Sequence, residues 1–147
     1  MLPTLNGRIQ TRVLALSVIG FFVALIITPL LPTGSPSIGQ AYRVTLSVLL
    51  ATVLVGVLWE LLYHFLQQFR WEKDWPTLFG FITILNEGAL IWVLVRYTTV
   101  VLPEHLRPSP AAFLLQFVST WILFWLIVNG PMRVVFHRWR FQGGRFL

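Results

Sequence analysis

Cysteine is absent from this chain, which excludes disulfides, thiolate metal sites and cysteine nucleophiles. Charge is scarce: 11% of the 147 residues are charged, and five acidic side chains stand against eleven basic ones. Phosphate loops, nucleophile elbows and dinucleotide glycine patterns are missing as well. With these goes most of the inventory an enzyme would need, so no catalytic residues are assigned and no enzyme is expected. Internal repeats, low-complexity tracts and any stretch resembling a soluble domain are also lacking.

What is present is apolar. Hydrophobic residues make up 56% of the chain, and the mean hydropathy is +0.76. A soluble domain of this size has too little interior to hide so much apolar surface, so the excess is expected to face lipid. The seven Trp and twelve Phe fit that setting, because aromatic rings collect at membrane–water boundaries.

Crossing the hydrocarbon takes roughly 20 mainly apolar residues at about 1.5 Å each. Four stretches qualify: residues 13–31, 41–65, 77–102 and 111–132. The first connection, LPTGSPSIGQ, is rich in turn residues. The second, QQFRWEKDWP, is short and charged, and the third, PEHLRPSP, is bounded by prolines with Pro110 suited to a first helical turn. The first run is longer than a signal-peptide core and no small-x-small site follows at the right distance, so it reads as an uncleaved helix. The expected fold is all-α, a single domain over 1–147 built as a bundle of four transmembrane helices, with a short basic and aromatic tail at 133–147.

Orientation follows from the basic residues. Placing both termini inside gives an inner set of eight (Arg8, Arg12, Arg70, Lys73, Arg133, Arg138, Arg140, Arg145) and an outer set of three (Arg43, Arg96, Arg107). The positive-inside rule then puts both termini in the cytoplasm, with the cell membrane as the expected location.

Against this background, FITILNEGALIWVLVRY stands out, because Asn86, Glu87 and Gly88 interrupt an apolar run. At about 1.5 Å per residue, Glu87 lies roughly 15 Å from the inner face and Glu60 roughly 8 Å from it, with His64 one turn closer to the headgroups. Thr52, Gly56, Glu60 and His64 form one stripe, and Gly80, Thr83 and Glu87 another. Gln116, Ser119, Thr120, Asn129 and Arg133 add polar groups on the last span. A lone charge in hydrocarbon costs at least about 2.5–3.5 kcal/mol, so these stripes are expected to face one another, with small residues allowing close approach.

Two purposes fit the polar site of Glu60, His64, Asn86, Glu87, Thr120, Asn129 and Arg133. In one, the carboxylates are structural, paired for example with Arg133, Asn129 or Thr120, and set the helix register. In the other, Glu60 and Glu87 carry protons or cations, with His64 as an inner relay. A break of the third helix at Asn86–Gly88, exposing carbonyls, is a variant of the second. A metal site is not expected: zinc needs three or four ligands, and His105 and His137 fall on opposite sides of the membrane. No haem or other cofactor is assigned, since a bis-histidine haem would need a second copy to supply a ligand.

The tail FHRWRFQGGRFL alternates Arg138, Arg140 and Arg145 with Trp139, Phe141 and Phe146. That pattern suits anionic headgroups on the cytoplasmic side or a docked protein. Arg70, Trp71, Lys73 and Trp75 in the inner loop are expected to extend the same face. Nucleic acid is not an expected partner, because too little soluble mass exists to build a groove. The function expected from these features is that of an anchor, scaffold or accessory subunit, assembled as a homo- or hetero-oligomer. The alternative is an oligomeric proton- or cation-conducting element.

Overall fold

A computed structural model describes residues 4–32, 37–69 and 77–146, apart from the side chains of 77–81. Every regular element among the described residues is helical. The long elements are α1 (Leu5–Leu30), α2 (Ile38–Gln67), α3 (Thr77–Tyr97) and α4 (Pro110–Asn129). Two short helices follow, α5 (Pro131–Val135) and α6 (His137–Phe141). Three runs (α1, α2, and Pro110–Val135, which holds α4 and α5) are long and apolar enough to cross a membrane among the described residues. They are compatible with an integral membrane protein.

Helix boundaries follow local chemistry. The first helix starts at Leu5 rather than near Val13, because the Thr4 hydroxyl caps it by accepting from the Gly7 amide at 3.1 Å. This correction matters, since it moves Arg8 and Arg12 from a flanking segment into the helix. A π-helical turn spans Arg12–Leu16, and the helix closes in a 3₁₀ turn at Thr28–Leu30. α3 ends at Tyr97, short of the expected Leu102. The β-branched run Thr98, Thr99, Val100 and Val101 favours helix poorly, and the Thr98 hydroxyl accepts from the Val100 amide at 3.4 Å. Asn86, Glu87 and Gly88 lie within an uninterrupted helix, so the envisaged break is not there. α4 begins with Pro110 in its first turn under a Ser109 cap, whose hydroxyl accepts from Ala112 at 3.2 Å. It stops at Gly130, and Pro131 opens α5.

α1 packs along α2 and α4, and so does α3, which leaves α1 and α3 on a diagonal of the bundle. One apolar core joins α2, α3 and α4 through Val48, Val55, Ile91, Val95, Phe117 and Trp121. A second joins α1, α2, α4 and the tail through Leu16, Leu49, Val53, Phe124, Met132 and Trp139. The outer faces remain apolar: Phe22, Ile26 and Leu30 on α1 and Leu50, Leu54 and Leu58 on α2 are all exposed, one above another at four-residue spacing. Such continuous apolar stripes are what a lipid-facing helix presents.

Both ends of the bundle are tied. At one, the Ser109 hydroxyl donates to the Pro32 carbonyl at 2.9 Å. At the other, the Thr4 amide donates to the Gly143 carbonyl at 3.0 Å, so the two chain ends meet. The tail is therefore folded back on the start of α1. Gly143 and Gly144 have φ of 67° and 87°, the left-handed region that favours glycine. A side chain at Gly7 would collide with the Gly143 carbonyl.

Candidate functional site

The carboxylates Glu60 and Glu87 are held by arginines of α1. Arg12 extends from the third turn of α1 across the diagonal, and its Nη2 pairs with Glu87 Oε2 on α3. Its Nη1 lies 3.4 Å from Glu60 Oε1 on α2. Arg8, one turn earlier on the same face, places Nε 3.4 Å from Glu60 Oε2. From α4, the Trp121 indole N–H donates to Glu87 Oε2 at 3.3 Å. The four long helices thus meet in one ladder, Arg8–Glu60–Arg12–Glu87–Trp121. Its formal charges cancel.

Burial deepens along the ladder. Glu87 is fully buried and Arg12 is 5% exposed, whereas the Arg8 and Glu60 side chains are 15% and 16% exposed. In so dry a setting an unpaired charge would be prohibitive, and a paired one needs good geometry to offset its desolvation. The path of Arg12 is opened by Gly56 of α2: a Cβ there would strike the Arg12 guanidinium. A long side chain is required because α1 and α3 are diagonal, and a short one would not span the gap. Glu87 Oε1 and Arg12 Nε are buried without a hydrogen-bond partner among the described residues.

The other residues expected at the polar site are arranged differently. Thr52, Gly56 and Thr83 are buried beside Glu60 and Glu87 on their inward stripes. His64 is half-buried one turn beyond Glu60. Asn86 is exposed on the flank of α3. Thr120 is buried against Gly20 of α1. Gln116 donates to the Thr45 carbonyl at 2.6 Å, joining α4 to α2. Asn129 and Arg133 form their own pair, Nη2 to Oδ1 at 2.9 Å, on an exposed end of the bundle. The expected pairing of the carboxylates with Arg133, Asn129 or Thr120 is therefore corrected: Arg8 and Arg12 take that place. The Thr4 cap was the one local signal for it, because a helix starting at Leu5 carries Arg12 two turns inward.

The tail also departs from expectation. Trp139, expected to face headgroups or a partner, is 9% exposed, and its indole N–H donates to the Thr11 hydroxyl at 2.7 Å. Thr11 in turn donates to the Gly144 carbonyl at 3.0 Å, and the Phe146 amide donates to Gln10 Oε1 at 2.9 Å. Arg145 reaches the Thr4 hydroxyl at 3.2 Å. Arg138 and Arg140 are exposed, with the Arg140 guanidinium 5.6 Å from the Phe141 ring centre. Arg70, Trp71, Lys73 and Trp75 lie outside the described residues. No group of three or more potential metal ligands occurs among the described residues.

Comparison with protein-family models, curated proteins and solved structures finds no match, so function has to be read from the chain's own chemistry.

Proposed function

We propose that this chain is a four-span integral protein of the cell membrane, with both termini cytoplasmic, acting as an anchor or accessory subunit of a larger assembly. One observation carries the reading: the charges of Arg8, Arg12, Glu60 and Glu87 close on one another within a single chain. A ladder so closed locks register among the helices and needs no substrate to complete it. α3, at 21 residues and about 31 Å, is long enough to be the remaining crossing. The meeting of the chain ends agrees with an even number of spans. Two exposed cations, Arg138 and Arg140, stand on a tail clamped to α1, which makes them a firm basic face rather than a loose strip. Anionic headgroups and an acidic protein surface are the partners such a face suits.

Native mass measurement of the chain extracted in mild detergent tests this. A co-purifying subunit lost on R138E/R140E is the expected result, and a lone monomer under all mild conditions would overturn it. The conducting alternative draws on Glu87 Oε1, the unpartnered acceptor at the deep end of the ladder. In that reading Glu60 and Glu87 carry the ion and His64 relays it. Wild-type protein in liposomes would then pass protons or cations down a gradient and E87Q would not; the anchor reading expects no flux from either.

A further inference from the structure

An apolar groove of about 450 Å³ runs between α3 and α4, and no part of the ladder or tail uses it. Its walls include Leu85, Ala89 and Trp92 of α3 and Leu114 and Val118 of α4. The stacked pair Phe113 and Phe117, with ring centres 5.6 Å apart, supplies the floor. Gly88 makes the groove possible, since a Cβ there would come within 2.7 Å of the Phe117 ring. The volume falls within the roughly 300–1,000 Å³ typical of small-molecule sites.

Its extent and its mouth indicate the occupant. From Pro110 to Val118 the groove descends about 12 Å at 1.5 Å per residue, close to the depth of one leaflet of a hydrocarbon core about 30 Å thick. A packed helix from another subunit would need a seam through both leaflets; one acyl chain needs only this. Leu85, Ala89, Trp92 and Arg96 share a face of α3, being spaced by three and four residues. Arg96, one helical turn beyond the lining residue Trp92, is exposed and has no ion pair or hydrogen bond among the described residues. Arg107, on the same end, is engaged with Glu104 at 3.5 Å. We infer that the α3–α4 groove binds one anionic glycerophospholipid of the adjoining leaflet, its acyl chain along Phe113 and Phe117 and its phosphate on Arg96.

The test uses the full chain in micelles of phosphatidylglycerol and phosphatidylcholine mixed in equal parts, with lipid retained by the released protein read by mass. One phospholipid per chain is expected, phosphatidylglycerol favoured at least fivefold. A89F, which fills the groove from its exposed wall, should cut retention at least fivefold; L114W does the same from α4 should A89F fail to fold. R96Q should keep a lipid while bringing the two headgroups near parity. Equal retention by folded A89F or L114W, an unchanged preference in R96Q, or a paired chain in place of lipid would each overturn the inference.

Discussion

At the scale of single residues, the decisive side chain is Arg12. It serves two carboxylates from different helices, and its guanidinium occupies the space that Gly56 leaves empty. Removing one partner of a buried pair leaves the other uncompensated, at a cost of about 3–5 kcal/mol. Arg12→Met should therefore lower stability by about that much in a denaturant titration in mixed micelles. The double variant R12M/E87M removes both charges, and should recover most of the loss. Recovery absent from the double variant would mean that Arg12 acts elsewhere. Gly56→Leu should mimic Arg12→Met without touching a charge, because it displaces the guanidinium.

At the scale of elements, the tail and α1 form one unit. Residues 139–146 reach back to Thr4, Gln10 and Thr11 through hydrogen bonds from the Thr4 amide and hydroxyl, Thr11, Trp139, Arg145 and the Phe146 amide. The turn depends on Gly143 and Gly144 at positive φ, where a side chain costs about 1–2 kcal/mol per residue. G143A/G144A should release the tail without unfolding the bundle. Limited proteolysis is expected to cut after Arg138 or Arg140 several times faster than in the wild type, and Trp139 emission should shift to the red. Had the tail been a free headgroup strip, neither readout would change. This interaction was hard to read in FHRWRFQGGRFL, because alternating Arg and aromatic residues look alike whether the rings face lipid or protein. The pair of glycines was the better clue, as a sharp turn has to lead somewhere.

At the scale of the whole molecule, the absence of cysteine turns topology into a direct measurement. Single cysteines at Asn6 and Gln142 sit on the end where the termini meet, and those at Gly39 and Glu104 sit on the other; all four positions are exposed. With a membrane-impermeant maleimide on intact cells, Gly39→Cys and Glu104→Cys should label, and Asn6→Cys and Gln142→Cys only after permeabilisation. A split between Asn6 and Gln142 would contradict both the clamp and the proposed four-span arrangement.

The all-helical, membrane-compatible class was legible in the amino-acid sequence because it rests on local quantities: run length, hydropathy and the turn chemistry of Pro, Gly and Ser. The inward stripes of α2 and α3 were legible for the same reason, since helical spacing alone puts Thr52, Gly56 and Glu60 in line. Which cation meets which carboxylate was decided only in three dimensions. Arg12 is 48 residues from Glu60 and 75 from Glu87, and no periodicity extends over such separations. Hydrophobicity dictates that a charge in lipid must find a partner; the crossing of four packed helices, and the gap above one glycine, determine which partner is within reach.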